Sequence, residues 1–218
     1  MTNKSIRVLL ADDHAIVRGG IKMLLSEEKD IQVIAEAENG DEAIQLAREH
    51  CPDVVLMDIS MPVLNGLVAA EEILRTQNTN VILLSMYTDE EYVLKAIQCG
   101  VSGYLDKQSA APTVINAIRS VMAGEAYFSP PISKTVLKAA ANRFDKKHGS
   151  PRFDCLTKRE KQILQLIAEG GTSNSISEML YISKSTVYKH RQNIMNKTGV
   201  RDIAGLTRFA MDNNLVRK

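Results

Sequence analysis

Five side chains that could take part in phosphoryl transfer lie at or just after the ends of apolar, strand-like runs in this sequence. They are Asp12, Asp13, Asp58, Ser85 and Lys107. A carboxylate at the end of an apolar run such as VVLM (54–57) costs free energy unless a cation compensates its charge. Three carboxylates close together also repel one another, and a hard divalent cation with oxygen ligands would relieve that repulsion.

The combination of residue types predicts a phosphoryl-transfer site. In such a site Asp58 would be the nucleophile, the acids would hold Mg²⁺, and Lys107 and Ser85 would bind the phosphoryl oxygens. Each residue alone has an ordinary interpretation: Asp12 and Asp13 could cap a helix, and Lys107 could be a surface lysine. Their positions at successive strand ends favour the phosphoryl site.

A parallel sheet with helices on both faces would bring these residues to one edge. Continuous apolar strands indicate a sheet buried on both sides, and ligands of doubly wound sheets bind at the carboxyl ends of the strands. Between residues 6 and 124, five strand-like runs alternate with five helical ones. The strands are 6–11, 31–37, 54–57, 81–86 and 103–106, and the helices are 15–26, 40–50, 66–76, 90–100 and 111–124.

Residues 6–124 resemble the receiver domain of response regulators. The resemblance rests on ADD (11–13), DISMPVLNG (58–66), Ser85 and Lys107. It implies a flavodoxin-like α/β fold with a five-stranded parallel sheet, and phosphorylation of Asp58 by a sensor histidine kinase.

The same resemblance assigns further roles around Asp58. It implies that Asp13, Asp58 and the backbone carbonyl of Ser60 hold Mg²⁺ directly, with Asp12 acting through water. It also implies a switch pair, in which the hydroxyl of Ser85 moves to the phosphoryl group and the ring of Tyr104 turns inward.

The C-terminal part has a helical pattern and helix-capping residues at regular places. Thr157 forms a predicted capping box with Glu160, Thr172 or Ser173 can cap a short helix, and Ser183 can cap a helix over 184–196. A short helix, a tight turn and a longer helix form a helix-turn-helix, whose second helix enters the major groove of DNA.

This segment resembles the LuxR-type DNA-binding domain, and its union with a receiver resembles the NarL/FixJ family. The matching motifs are LTKRE (156–160), IAEG (167–170), ISKSTVYKHRQNI (182–194) and KTGV (197–200). The residues that the resemblance places nearest the base edges are Tyr188, Lys189 and Gln192. Those that it places on backbone phosphates are Lys184, Ser185, Thr186, Arg191 and Lys197.

Three details of the resemblance concern neighbouring positions. Asn174 and Ser175 stand where the family usually has Lys-Glu, and Tyr188 stands where it usually has Lys. The last predicted helix, 202–213, would present a surface for dimerisation. Its apolar residues are Ile203, Leu206 and Ala210.

The sign of the net charge changes near the point where the alternating strands and helices give way to the helical C-terminal part. The net charge is −9 over residues 1–128, +4 over 129–150 and +6 over 151–218. An acidic front and a basic back predict two domains with different partners, the basic one suited to nucleic acid. We predict a receiver over 1–126, a linker over 127–152, which contains Pro130 and Pro131, and a DNA-binding domain over 153–218.

The sequence thus predicts a Mg²⁺-dependent transcriptional regulator that dimerises on phosphorylation and binds double-stranded DNA, with RNA polymerase as a further candidate partner. No run of about 18 apolar residues suggests a membrane span, and no secretory signal is expected. Cys51, Cys99 and Cys155 are odd in number, which favours reduced thiols in a cytoplasmic protein.

Two other classes of protein share parts of this pattern. Aspartyl-phosphate hydrolases place a second acid two residues after the nucleophile, where this chain has Ser60, so we predict no enzyme. Interaction modules that never take phosphate would not need the full set of acids.

Overall fold

The chain divides into two compact units, Met1–Lys146 and Lys147–Lys218. The computed structural model describes residues 5–86, 90–107, 111–142, 153 and 155–216. Among the described residues, Cys51, Cys99 and Cys155 form no disulfide.

The first unit alternates strands and helices as the sequence predicts. The strands are β1 Ile6–Ala11, β2 Ile31–Ala37, β3 Val54–Asp58, β4 Asn80–Ser85, β5 Gly103–Asp106 and β6 Tyr127–Phe128. The helices are α1 Ala15–Ser26, α2 Gly40–His50, α3 Gly66–Thr76, α4 Glu90–Gln98, α5 Ala111–Met122 and α6 Pro130–Asn142.

The strands form one parallel sheet in the order β2-β1-β3-β4-β5-β6. Leu10 and Leu56 belong to a buried cluster with Leu25 of α1 and Ile118 of α5. Leu9, which alternates with Leu10 along the same strand, is equally inaccessible, and α2 and α3 pack on β1 and β3. Both faces are therefore covered, which explains why the strands are continuously apolar.

The sheet has six strands rather than the predicted five, and the sixth comes from the predicted linker. The backbone N–H of Tyr127 donates to Ser102, and that of Ser129 donates to Tyr104, so the edge of β5 is paired. Helix α6 then packs against α4 and β5. The sequence suggests a linker because β6 has only two residues and two prolines follow it. Those prolines open α6, where a missing N–H costs nothing.

The second unit contains four helices among its described residues: α7 Lys158–Ala168, α8 Ser173–Met179, α9 Lys184–Thr198 and α10 Ile203–Asp212. Thr157, Thr172 and Ser183 cap the first three, each accepting a backbone N–H, and Thr157 with Glu160 completes the predicted capping box. Helix α7 packs against α9 and α10. Helix α9 runs two residues beyond the predicted end, to Thr198, and Gly199 caps it at φ 74°, a left-handed conformation that favours glycine.

Candidate phosphoryl-transfer site and DNA-binding surface

The carboxyl edge of the sheet gathers the predicted phosphoryl-site residues of the first unit. Asp12 follows β1, Asp58 ends β3 and Ser85 ends β4, and all three are almost completely buried, at 0%, 2% and 0% exposure. Lys107 follows β5, and its backbone N–H donates to the carbonyl of Ser85 over 2.8 Å.

The ammonium group of Lys107 lies between two buried carboxylates. Its Nζ is 2.8 Å from Oδ2 of Asp12 and 2.7 Å from Oδ2 of Asp58. Burial raises the pKa of Asp58, and its hydrogen bond to Lys107 offsets only part of that increase. Burial alone would lower the pKa of Lys107, but its bonds to Asp12 and Asp58 outweigh burial and raise it. Two acids thus share one cation, which leaves a net negative charge in a buried place.

The turn after β3 is shaped by backbone contacts with Asp58. The N–H of Ser60 is hydrogen-bonded to the Asp58 carboxylate. The N–H of Gly66, which begins α3, donates to Ile59 over 2.9 Å. A Cβ atom at Gly66 would lie 1.8 Å from the carbonyl oxygen of Asp58, so only glycine permits this approach. The metal-binding role of the Ser60 carbonyl stays a prediction.

Asp13 and His14 complete the edge on its solvent side. His14 Nδ1 lies 2.7 Å from Oδ1 of Asp13 and 3.4 Å from Oδ1 of Asp12. Ligand-type atoms of Asp12, Asp13, His14 and Asp58 all lie within 4.8 Å of one another. The three carboxylates supply the oxygen ligands that Mg²⁺ prefers, so they fit the predicted metal. His14 is not among the residues predicted from the sequence, and the available signal is its position directly after Asp12 and Asp13.

The predicted switch pair occupies adjacent strands. Ser85 ends β4, and Tyr104 lies in β5 opposite Leu83 of that strand. Tyr104 is completely buried, which corresponds to the inward position of its ring. Its carbonyl accepts the N–H of Ser129, at the start of the segment that leads into α6. Movement of the two side chains stays a prediction.

In the second unit, α9 presents most of the predicted DNA-contacting residues to solvent. Val187 and Ile194 face inward and are fully buried, and Met195 is half-buried, as predicted from their spacing. Thr186 and Arg191 are half-buried. The remaining predicted contact residues are exposed: Lys184, Ser185, Tyr188, Lys189, Gln192 and Lys197.

Two of the predicted phosphate contacts have protein partners. Arg191 donates to Oγ of Ser173 over 2.8 Å, and its guanidinium lies 5.9 Å from the centre of the Tyr188 ring. Lys197 Nζ is 2.7 Å from Oε2 of Glu160, which is 3% exposed. Burial would raise the pKa of Glu160, but Lys197 and the hydrogen bonds of Thr157 outweigh burial and lower it. These contacts hold α9 against α7 and α8.

The predicted dimer surface is smaller than expected. Leu206 and Ala210 are fully buried because α10 packs on α7 through them, so they are not available to a second chain. Ile203, at 51% exposure, is the apolar residue of the three that faces solvent.

Among the helices that the structure describes, none is both long and apolar enough to cross a membrane.

Each of the two units matches the model of a known protein family. The model of the response regulator receiver domain matches residues 8–119, and that of the bacterial regulatory proteins of the luxR family matches residues 154–210.

Whole-chain relatives carry regulatory names. The chain is 35% identical over 215 residues to "Oxygen regulatory protein NreC" of Staphylococcus carnosus (strain TM300), covering 97% of this chain and 99% of that protein. It is 37% identical over 211 residues to "Response regulator UvrY" of Escherichia coli (strain K12), covering 96% and 95%. A crystal structure of a LuxR-family two-component response regulator from Aurantimonas sp. SI85-9A1 matches with a TM-score of 0.60 at 33% identity, covering 65% of this chain and all of that one.

Proposed function

This chain belongs to the two-component response regulators that join a receiver domain to a LuxR-type DNA-binding domain, and we propose that phosphorylation of Asp58 by a sensor histidine kinase controls its binding to DNA. The observation that carries the proposal is Lys107, whose ammonium lies between the buried carboxylates of Asp12 and Asp58. A buried acid with a single cation beside it is suited to receive a phosphoryl group.

In the proposed reaction, an oxygen of Asp58 attacks the phosphorus of a phosphohistidine. A P–O bond forms, the P–N bond breaks, and the imidazole leaves. Lys107 then binds an oxygen of the new phosphoryl group, because its ammonium already lies 2.7 Å from Asp58. Asp13, Asp58 and the Ser60 carbonyl would hold Mg²⁺, with Asp12 through water, and the cation would neutralise the charge that develops on the phosphoryl oxygens.

The proposed output passes through β4 and β5. The Ser85 hydroxyl would move to the phosphoryl group, and the buried ring of Tyr104 would be repositioned with it. Since the Tyr104 carbonyl accepts the N–H of Ser129, a shift of β5 would displace the start of α6. Phosphorylation would only bias an equilibrium between two states, so the unmodified chain should retain some affinity for DNA.

The proposed DNA complex places α9 in the major groove. Tyr188, Lys189 and Gln192 would read base edges, and the other five predicted residues of α9 would bind phosphates. A phosphorylated homodimer would present two such helices to two half-sites. RNA polymerase is the expected further partner of a chain bound at a promoter.

Phosphoryl uptake from a small donor tests the proposal at its source. The wild-type chain, Asp58→Asn and Asp53→Asn are incubated with acetyl phosphate and Mg²⁺, and intact mass is measured. Asp53 directly precedes β3 and serves as a matched acid at the opposite end of the same strand. We expect one phosphoryl group on the wild type and on Asp53→Asn, and none on Asp58→Asn.

Two results would contradict the proposal. Uptake by Asp58→Asn equal to that of the wild type would place the phosphate on another residue. Turnover of a small phosphate ester at many equivalents per chain would favour a hydrolase instead.

A further inference from the structure

His14 adds a nitrogen atom to an otherwise oxygen-rich edge of the first unit. The backbone N–H of His14 donates to Oδ1 of Asp12 over 2.9 Å, and Lys107 Nζ lies 2.8 Å from Oδ2 of the same acid. Asp12 is therefore held by His14 as well as by Lys107. Asp12, Asp13, Asp58 and His14 each offer one ligand atom, and these atoms lie within 4.8 Å of one another.

The spacing of His14 and Asp13 suits two neighbouring ligands of one ion. Nδ1 of His14 lies 2.7 Å from Oδ1 of Asp13. Adjacent ligands of an octahedral ion with bonds of about 2.1 Å are about 3.0 Å apart, close to this separation. The side chain of His14 is 64% exposed, so the ring can adjust without disturbing the core.

The chemistry of the donor determines which ions benefit. Mg²⁺ prefers oxygen and keeps much of its water, whereas imidazole is a good ligand for first-row transition metals from iron to zinc. A site of carboxylates alone would discriminate little between these classes of ion. A nitrogen donor on the solvent side would favour the transition metal ions over Mg²⁺.

We propose that His14 is a ligand of the divalent cation at Asp58, and that it raises the preference of this site for first-row transition metal ions over Mg²⁺. The proposal rests on the proposed function, since the cation is the one that would assist phosphorylation. It adds that the receiver can be loaded by ions other than Mg²⁺ when they are present at low concentration.

Titration calorimetry of the full chain with Co²⁺ and, separately, with Mg²⁺ tests the role of His14. The variants are His14→Gln, His50→Gln and Asp58→Asn. His50 ends α2 at the opposite edge of the sheet and is the matched histidine control. We expect the ratio of Co²⁺ to Mg²⁺ affinity to fall about tenfold in His14→Gln and to stay at the wild-type value in His50→Gln. The visible absorption of bound Co²⁺ should change only in His14→Gln and Asp58→Asn.

An unchanged affinity ratio in His14→Gln would overturn the proposal, and so would Co²⁺ binding that persists undiminished in Asp58→Asn. Phosphoryl uptake by the wild type with Mg²⁺ distinguishes a failure of this proposal from a failure of the proposed function. A chain that takes phosphate but keeps its Co²⁺ preference without His14 refutes only the role of the imidazole. A chain that takes no phosphate refutes the function, whatever the calorimetry gives.

Discussion

Asp58 is a charged residue in a place where charge is expensive. Its carboxylate and that of Asp12 are both buried, and Lys107 compensates only one of the two negative charges. A phosphoryl group brings further negative charge, which makes a cation at this edge necessary rather than optional. The uncompensated negative charge of the unmodified site therefore supports the proposed binding of a divalent cation.

Replacing Asp58 with Asn should stabilise the receiver unit when divalent cations are absent. Burial raises the pKa of Asp58 above its ordinary value of 3.8, so the ionised side chain is disfavoured in the folded state relative to the unfolded chain. Asp58→Asn leaves a neutral pair of Asp12 and Lys107, and we expect a gain of about 1 kcal/mol in the free energy of unfolding at neutral pH. Urea unfolding followed by circular dichroism measures it.

The same experiment has a pH signature. As the pH falls towards 3.8, the wild-type carboxyl becomes protonated and the advantage of Asp58→Asn should disappear. Added Mg²⁺ should also reduce the difference in the free energy of unfolding between Asp58→Asn and the wild type, because it should stabilise the wild type. A variant less stable than the wild type at neutral pH without metal would contradict this electrostatic picture.

Residue types at strand ends predicted most of the phosphoryl site, because apolar runs locate the strands and parallel strands end at one edge. Asp12, Asp58, Ser85 and Lys107 meet there as expected. His14 was not predicted because a single histidine has no spacing pattern of its own, and only its position after Asp12 and Asp13 points to the site. The ion pair of Lys197 with Glu160 was not predicted, because it joins residues from two helices whose packing the sequence does not specify.

At the scale of elements, the start of α3 is held against the end of β3 by a glycine. Gly66→Ala should destabilise the receiver by at least about 2 kcal/mol, because the new Cβ would overlap the carbonyl oxygen of Asp58. Gly20→Ala is the matched control, since Gly20 lies inside α1 with nothing within 4 Å of a built Cβ. It should stabilise the protein by about 0.5–1 kcal/mol through helix propensity. Equal effects of the two alanines on the unfolding midpoint would refute the close approach.

Helix α9 is joined to α7 by the ion pair of Lys197 and Glu160. Glu160→Gln keeps a residue able to complete the capping box with Thr157 but removes the charge. It should lower the free energy of unfolding of the second unit by about 1 kcal/mol at neutral pH, since the buried Glu160 loses its ion pair with the exposed Lys197. The pKa of Glu160 is held below 4.5, so the wild-type advantage should persist above that pH and fade below it. A difference that does not depend on pH would contradict an ionic origin.

The proposed binding of DNA by α9 predicts how the affinity depends on salt concentration. Lys184 is an exposed residue at the start of α9, where we propose a phosphate contact. Lys184→Ala should reduce the slope of log affinity against log salt concentration by about 0.9, because one fewer counterion is released. Lys29→Ala, an exposed lysine of the receiver, removes the same charge and should leave the slope unchanged. Fluorescence anisotropy over a salt series gives the slopes of the wild type and both variants. Identical slopes for all three would show that Lys184 does not contact a DNA phosphate.

Most strands and helices were predictable from their apolar patterns, whereas β6 and the start of α6 were not. Helix α1 and strands β1, β2 and β5 have the predicted bounds. Strand β6 was missed because two residues cannot show a period, and prolines hid the start of α6. The burial of Leu206 and Ala210 was missed because an apolar helix face looks the same whether it packs on α7 or on a second chain.

At the scale of the whole molecule, charge separates the two proposed tasks. Residues 1–128 carry a net charge of −9, and residues 129–218 carry the compensating excess of Lys and Arg. An acidic receiver can bind a divalent cation without attracting DNA, while the basic unit supplies attraction to phosphates. The proposed switch therefore has to change how the two units act together, not the charge of the DNA-binding surface itself.

The central claim is that a phosphoryl group on Asp58 strengthens DNA binding, and one measurement tests it most directly. The dissociation constant of the full chain is measured, with and without acetyl phosphate and Mg²⁺, on a duplex that the wild-type chain has selected from a random pool. The wild type should bind about tenfold more tightly after phosphorylation, and Asp58→Asn should show no change. Equal affinity of the unmodified wild type and of a chain verified by mass to carry phosphate on Asp58 would contradict the account.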